Sequence, residues 1–474
     1  MKINRNMSAV IANKQLLRTE NKLSLSMEKL SSGYKINRSG DNPAGMAISN
    51  KMRAQIDALD KAEQNAADGT SALQIADGAL SEVSSILQRM SELSIQAANG
   101  TNSKSDRESI QLEIDELKKE VDRISDNTEF NTKSLLDGSS NISPYCDFAT
   151  RMDISEQVQP GKYRIDIDTE PTQATYRIPF NGDVLQDGTM TINGKSITFE
   201  KGMNVEDIAK QFRDIQEEIG AAVTFTTNSI TLTSNGYGSK YAFEIGVDSQ
   251  EFLDVNAPNM DLGTFITQPD GSLSTVVSGE DIQVSGLRLY NEKDGRYEDV
   301  PSTIATTSDR RVLLTDPYGL KIDFLVNEDT VAGTDYEFEV TDIGSLTLQI
   351  GANQYQTMDV RIPEVSTESL YLDEVDVVAY RGADFAIETI SDAISKLNDI
   401  RSRIGAFQNR VEYAQSGLAE SQENMTAAYS RIMDTDMAEE MSEYTQLNIL
   451  DQASVSVLAQ ANDMPQQVLS LLGR

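Results

Sequence analysis

Proline is confined almost entirely to the middle of the chain. Of its 11 prolines, only Pro43 and Pro465 lie outside the stretch between residues 144 and 363. Because proline removes a backbone donor and clashes with the preceding turn, it breaks a helix when it lies in the helix interior. The distribution therefore allows long helices at both ends of the 474-residue chain and argues against them in the middle.

The N-terminal end carries two apolar series with helical spacing. The first series, spaced by four, three and seven residues, consists of Ile3, Met7, Val10 and Leu17. The second, on another phase of the same segment, consists of Leu16, Leu23, Met27, Leu30 and Tyr34. Together they predict a helix with more than one apolar face.

A second and much longer helix is predicted after a break at residues 39–42. Asn42 is a suitable N-cap and Pro43 suits the first helical position. If this helix runs to about Ala98, it is on the order of 80 Å long at 1.5 Å per residue, which indicates a rod. A third helix is predicted by Ile110, Ile114, Leu117, Val121 and Ile124.

The C-terminal end repeats this pattern. Over about five heptads, a coiled-coil register is kept by Ile390, Ile394, Leu397, Ile404, Phe407, Val411, Ala414, Leu418 and Met425. A further stripe consists of Met433, Met437, Met441, Tyr444, Leu450, Ala453, Val457, Ala461, Met464 and Val468. Such stripes predict helices almost to the end of the chain.

An apolar helix face at a chain end cannot bury itself alone, so it needs another helix. The only comparable partner in this chain is the helix at the other terminus. Two interpretations stay open from the pattern alone. The helices either associate with those of neighbouring copies in a polymer, or they close into an ordinary helical bundle within one molecule.

The middle of the chain has the period of β-strands. Alternation is clear at Tyr163, Ile165 and Ile167, and Asn193-Gly194 and Asp294-Gly295 are strong hairpin turns. A helix capped by Asn204 and ending near Gly220 is flanked by short strands, which predicts a β-β-α-β-β unit. The predicted fold class is α+β, with long terminal helices forming a coiled coil and helical bundle around a β-rich middle domain.

Composition excludes several classes of function. A formal charge of −34 argues against binding to nucleic acid. The absence of histidine removes the usual general base and the commonest metal ligand, and one cysteine cannot form a zinc-thiolate cluster. No stretch approaches the ~20 apolar residues of a membrane span. We therefore expect no enzyme activity, no cofactor, no metal site and no membrane segment.

Both ends carry a series of short sequence motifs. The N-terminal motifs are SMEKLSSG at 26–33, AGMAIS at 44–49 and QAANGTN at 96–102. The C-terminal motifs are IGAFQNR at 404–410 and SVLAQAN at 456–462. In these motifs and their order the two ends resemble bacterial flagellin, and the resemblance covers roughly the first 140 and the last 130 residues. The middle is not covered in the same way.

The resemblance implies a three-part organisation. Residues 1–40 and 431–474 would form an inner coiled-coil domain. Residues 41–175 and 344–430 would form an outer helical domain with β-hairpins, and residues 176–343 a variable, surface-exposed β-rich domain. The polymerisation seam would consist of Ile3, Met7, Val10, Leu17, Val457, Ala461, Met464 and Val468.

The resemblance also implies a function and partners. The chain would be the structural subunit that polymerises with itself into the flagellar filament for swimming motility, meeting hook-associated and cap proteins there. It would be secreted by the flagellar type III apparatus to the extracellular filament, with an export chaperone on the C-terminal segment. A hook–filament junction protein, which shares the terminal helices, is the alternative.

Flagellins are sensed by a Toll-like receptor of the innate immune system. The matching positions here are Gln88, Arg89, Leu93 and Glu113. Arg89 would be the anchor, since a guanidinium can form paired hydrogen bonds and stack at the same time. The competing interpretation is that these residues face a neighbouring subunit.

Overall fold

Long helices occupy both ends of the chain in the computed structural model, which describes residues 6–155, 157–179, 183–226, 229–248, 250–256, 265–268, 272–291, 294–301, 303–341, 344–379 and 381–472. The helices are α1 Met7–Ser32, α2 Pro43–Ala97, α3 Lys104–Asn127, α4 Val205–Ile219, α5 Gln250–Asn256, α6 Gly382–Met433 and α7 Met437–Leu472. The predicted rod-length helix from Pro43 is thus confirmed, and so are the two long C-terminal helices.

Local signals set the helix ends. The Asn6 side chain accepts from the Ala9 amide at the start of α1, and Gly33 ends that helix in the left-handed region at φ 75°. The predicted cap at Asn42 is confirmed, because its Oδ1 accepts from the Gly45 amide at 2.9 Å. A capping box joins Ser103 and Asp106 at the start of α3.

The described residues fall into two compact units. The first comprises the described residues of Met1–Gly69, Leu348–Met358 and Arg410–Arg474, and the second comprises those of Thr70–Thr347 and Asp359–Asn409. In the first unit Leu59, Ala62 and Leu418 form a small core. In the second, the apolar stripes of the long helices are fully buried at Leu73, Leu80, Leu87, Ile114, Ile390 and Leu397.

The middle of the chain is built from short antiparallel strands. In chain order they are β1 Glu129–Phe130, β2 Lys133–Ser134, β3 Ser143–Cys146, β4 Ala149–Ile154, β5 Gly161–Thr169, β6 Gln173–Pro179, β7 Gly188–Ile192, β8 Lys195–Phe199, β9 Ala221–Thr226, β10 Ser229–Tyr237, β11 Phe243–Val247, β12 Ile266–Thr267, β13 Leu273–Val277, β14 Gln283–Asn291, β15 Arg296–Asp299, β16 Ile304–Ser308, β17 Arg311–Thr315, β18 Lys321–Val326, β19 Asp335–Thr341, β20 Leu346–Gln349 and β21 Thr357–Val360. A single-turn 3-10 helix covers Ser239–Tyr241.

The first β core is built from strands early in the middle segment and strands late in it. A sheet of order β15-β14-β5-β19-β3 and a sheet of order β16-β17-β18-β4 enclose it. Tyr163, Ile165 and Ile167, predicted from their alternation, are buried in this core with Phe324 and Phe338. Strands between residues 143 and 169 therefore pair with strands between residues 283 and 341.

A second β core contains the predicted β-β-α-β-β unit, whose order β7-β8-α4-β9-β10 is confirmed. Asn193 and Gly194, at φ 51° and 78°, make the tight turn between β7 and β8. The two hairpins lie in different sheets, of order β12-β13-β11-β7-β8 and β6-β10-β9. Phe212 of α4 packs between them, near Phe199. The expected domain boundary at residue 176 falls within β6.

A buried ion pair links the first β core to the segment that precedes α6. Asp323 is 1% exposed, and its two carboxylate oxygens accept from Arg311 Nε at 2.9 Å and Nη2 at 2.7 Å. The Tyr371 hydroxyl donates to Asp323 Oδ1 at 3.3 Å, and the Arg311 guanidinium lies 4.5 Å from the Tyr371 ring centre. Burial opposes ionisation of Asp323, but Arg311 outweighs it and holds the pKa of Asp323 below its usual value.

Replacing Asp323 tests how much the ion pair between Asp323 and Arg311 contributes to the free energy of unfolding. We expect Asp323→Ala to reduce the free energy of unfolding by about 1–3 kcal/mol, because the partly exposed Arg311 loses its main counter-charge and the Tyr371 hydroxyl loses its acceptor. Asp299→Ala, which removes the exposed partner of Arg288, is the control and should cost less than about 1 kcal/mol. Urea unfolding at pH 7, followed by tyrosine fluorescence, measures both.

The same variant should change how the free energy of unfolding depends on pH in acid. Because the folded pKa of Asp323 is lowered, its contribution is present above the unfolded-state pKa and is lost as pH falls through the folded value. Asp323→Ala should therefore lose less stability than the parent chain below about pH 4. Equal losses in both chains would contradict this role.

Candidate functional site

The two ends of the chain pair with each other as antiparallel helices. The Asn6 side chain donates to the Ala461 carbonyl at 2.7 Å, near the start of α1 and far along α7. At the other end of the pair, Lys29 Nζ lies 3.3 Å from Glu440 Oε2. The segment that follows α1 and the segment that precedes α7 are also hydrogen-bonded to each other. The Lys35 amide donates to the Met433 carbonyl, and the Thr435 amide donates to the Gly33 carbonyl.

The inner faces of this pair follow a heptad-like spacing of three and four residues. On α1 the buried and half-buried side chains include Asn6, Ala9, Ala12, Leu16, Thr19, Leu23, Ser26 and Leu30. On α7 they include Glu440, Tyr444, Leu447, Asp451, Ser454, Leu458 and Ala461. Small and polar side chains thus alternate with the leucines.

Several polar atoms in this inner face lack hydrogen-bond partners among the described residues. They are Ser26 Oγ, Glu440 Oε1 and Asp451 Oδ1. Leaving a buried polar group unsatisfied costs about 1–3 kcal/mol. This desolvation opposes the pairing of α1 with α7 inside one chain, which the leucines of the inner face favour.

Most of the predicted seam residues face outward in the single chain. Five of them, at 45–60% exposure, are Met7, Val10, Leu17, Val457 and Met464, whereas Ala461 is 5% exposed. Ile3 lies outside the described residues, and so does the side chain of Val468, a residue of α7. The contact with α7 uses the second apolar series of the N-terminal segment, through Leu16, Leu23 and Leu30.

The outward residues belong to a larger set of exposed apolar side chains on α1 and α7, here called the outer face. It consists of Met7, Val10, Ile11, Leu17, Leu25 and Met27 on α1, and of Met437, Met441, Ile449, Leu450, Val455, Val457 and Met464 on α7, all 45–64% exposed. Single exposed apolar residues are ordinary, but this many on one pair of helices indicates an interaction surface. Within the methionine stripe of the C-terminal segment, Met433 is buried, whereas Met437 and Met441 are exposed.

The predicted receptor residues lie on α2 and α3. Arg89 of α2 pairs with Glu113 of α3, with Nη2 2.7 Å from Oε1, and with Glu92, with Nη1 3.3 Å from Oε2. These hydrogen bonds, the one with Glu113 first, raise the pKa of Arg89. Gln88, Arg89 and Glu113 are exposed, whereas Leu93 is 2% exposed and packs beneath them.

The residues described carry no constellation for metal chemistry. Among them, no group of three or more Asp, Glu or Cys side chains could hold a metal ion, and the sequence has no histidine. Two surface features stand out in the described residues: the exposed apolar side chains of the paired ends, and a small charged patch on α2 and α3.

None of the described helices is both long enough and apolar enough to cross a membrane.

Comparison with known families matches both helical ends. Residues 3–141 match the bacterial flagellin N-terminal helical region, and residues 387–472 match the bacterial flagellin C-terminal helical region. A flagellin of Clostridium tyrobutyricum is 30% identical over 98% of this chain and 100% of its own length. Polar flagellin A of Vibrio parahaemolyticus is 31% identical over 99% of each chain.

Solved flagellar protein structures match this chain only at low TM-scores. Flagellar hook-associated protein 3 of Legionella pneumophila covers 82% of this chain and 98% of its own, at 13% identity and a TM-score of 0.32. FliC from Burkholderia pseudomallei covers 72% of this chain and 99% of its own, at 17% identity and a TM-score of 0.24. The family assignment comes from the sequence matches, which extend over the full length of the relatives.

Proposed function

The chain belongs to the bacterial flagellins, the subunits of the flagellar filament that serves motility, and from this premise we propose which of its surfaces carry out assembly. The outer face of α1 and α7 is the surface on which neighbouring copies pack. The observation that carries the proposal is the number of large apolar side chains that stay exposed along both helices. The seam named from the sequence belongs to this face through Met7, Val10, Leu17, Val457 and Met464.

The energetics favour assembly over closure within one chain. Burying a half-exposed valine, leucine or methionine contributes about 1 kcal/mol, so the outer face could supply on the order of 10 kcal/mol per subunit before entropic costs. The inner face of the pair is weakened, because it buries polar atoms that have no hydrogen-bond partner among the described residues. Neighbouring copies supply the apolar partners that a lone chain lacks.

The domain organisation follows from this role. We assign residues 1–40 and 431–474 to the inner coiled coil, which contains α1 and α7. Residues 41–175 and 344–430 form the outer helical domain, and residues 176–343 the variable domain at the surface. The fully buried stripes of α2, α3 and α6 support the helical domain.

A hook–filament junction protein is the less supported alternative. Such a protein would share the terminal helices, but the curated relatives that match this chain along its full length are flagellins. As a filament subunit the chain would be secreted and extracellular, and it would meet cap and hook-associated proteins at the ends of the filament. Its role is structural, and we propose that it catalyses no reaction.

Charged substitutions on the outer face test the assembly surface. We expect Val10→Asp and Val457→Asp each to raise the monomer concentration needed for seeded elongation by at least about tenfold, because a buried unpaired carboxylate is costly. The control is Ile304→Asp, which places the same charge at an exposed isoleucine of the middle domain. Electron microscopy of filaments grown on short seeds gives the readout. Normal elongation of the two valine variants would contradict the proposal.

We also propose that the exposed patch of Gln88, Arg89 and Glu113, with Leu93 packed beneath it, is recognised by the flagellin-sensing Toll-like receptor. Glu113 and Glu92 hold the Arg89 guanidinium at the surface. A planar guanidinium on a rigid helix is a common anchor in protein interfaces.

Substituting Arg89 separates this role from contact with a neighbouring subunit. We expect Arg89→Ala to lower receptor activation by monomeric protein about tenfold or more in reporter cells. Arg123→Ala removes another exposed, paired arginine of the helical domain and should leave activation unchanged. If Arg89→Ala activates normally but elongates filaments poorly, the patch serves the neighbouring subunit instead.

The C-terminal segment is the proposed docking site of the export chaperone. Met437 and Met441 are exposed near the start of α7, and methionine adapts easily to a partner surface. We expect Met437→Asp with Met441→Asp to abolish co-purification with the chaperone, while Met7→Asp on α1 leaves it intact. Retained binding in the double variant would place the chaperone elsewhere.

A further inference from the structure

The turn between α2 and α3 contains an asparagine followed directly by a glycine, Asn99-Gly100. Both residues are exposed, and they lie just beyond Ala97, the last residue of α2. The Asn102 amide donates to the Asn99 carbonyl at 3.0 Å, so these four residues form a β-turn. Neither the outer face nor the receptor patch includes this turn.

The backbone amide of Gly100 is accessible. No described residue accepts a hydrogen bond from it. A Cβ built on Gly100 would meet no atom within 4 Å, so the space beside this amide is open. Glycine also lacks the side chain that shields the amide nitrogen in other residues. The nitrogen can therefore approach the side-chain carbonyl carbon of Asn99.

The Asn99 side chain is activated for that approach. Its Oδ1 accepts from the Thr101 amide at 3.2 Å. This Asx-turn closes a ring that contains the peptide bond between Asn99 and Gly100. An amide donor on a carbonyl oxygen stabilises the negative charge that develops there when a nucleophile adds to the carbon. The Thr101 amide thus assists attack on Asn99 Cγ.

The Asn-Gly pair at residues 193 and 194 is protected against the same attack. Asn193 Nδ2 donates to the Ile219 carbonyl at 2.6 Å. Its Oδ1 accepts from the Glu244 amide at 2.9 Å. Both ends of this side-chain amide are therefore held by other elements of the fold, and an attack by Gly194 must first break these hydrogen bonds.

The pair at residues 235 and 236 differs in another way. It lies within β10, and a Cβ at Gly236 would lie 2.5 Å from the Tyr241 ring, so the space beside this glycine is filled. Asn181-Gly182 lies outside the described residues. Among the Asn-Gly pairs that the structure describes, Asn99-Gly100 thus combines an open glycine with an activated side-chain amide.

We propose that Asn99 is a site of spontaneous covalent modification, which converts it to aspartate and isoaspartate through a cyclic imide. The Gly100 nitrogen attacks Asn99 Cγ and loses its proton to solvent, and Nδ2 leaves as ammonia. Water then adds to one of the two imide carbonyls and opens the ring. Addition at Cγ gives aspartate, and addition at the backbone carbonyl carbon gives isoaspartate. The net reaction consumes one water and releases one ammonia, without oxidant, cofactor or enzyme.

The products change the end of α2 in charge and in backbone length. A carboxylate beyond the C-terminus of a helix interacts unfavourably with the helix dipole. Isoaspartate also adds one methylene to the main chain inside the β-turn. Each converted chain therefore carries one more negative charge and an altered connection between α2 and α3.

Incubation of the full-length monomer at pH 8, followed by tryptic digestion and tandem mass spectrometry, is the test. We expect the peptide with Asn99 to gain about 1 Da, and one oxygen-18 atom when the incubation is done in labelled water. Asn99 should convert at least about tenfold faster than Asn193, because the side-chain amide of Asn193 is held at both ends. In guanidinium chloride that unfolds the chain, the two rates should become similar.

Gly100→Ala tests the attacking nitrogen. We expect it to slow conversion of Asn99 at least about tenfold, because a Cβ shields the amide. The site is open and has no positive φ, so the variant should fold. Gly78→Ala, at an equally open position of α2, is the matched control and should leave the rate unchanged. Equal rates at Asn99 and Asn193 in the folded chain, an unchanged rate in Gly100→Ala, absence of oxygen-18 in the product or conversion at Asn102 instead would each overturn the proposal.

Discussion

The antiparallel pairing of the two chain ends is the contact on which the rest of the molecule depends. The backbone hydrogen bonds from Lys35 to Met433 and from Thr435 to Gly33 close the chain on itself. The chain from α2 to the end of α6 therefore leaves from these hydrogen bonds and returns to them. The two β cores are built from residues between 142 and 340 and contribute no side chain to the pair.

The imperfect burial in the α1–α7 pair explains why filament assembly and the pairing of the chain ends depend on each other. In a lone chain, Ser26, Glu440 and Asp451 bury atoms that no described residue satisfies, and the outer face stays in water. Neighbouring copies leave those buried polar atoms unsatisfied, but they cover the outer face and remove its apolar side chains from water, which is favourable. Anything that binds the folded ends and not the unfolded ones stabilises them by mass action, so the paired ends gain stability as the filament grows.

Element positions were predictable from the sequence, whereas the choice of helix face was not. Proline placement, the Asn42 cap and the Asn193-Gly194 turn are local signals, and each lies where it was predicted. The N-terminal helix has two apolar phases, and spacing alone cannot say which one meets α7. Burial of Leu93 and the pairing of early strands with late ones depend on long-range contacts, which leave no local trace in the sequence.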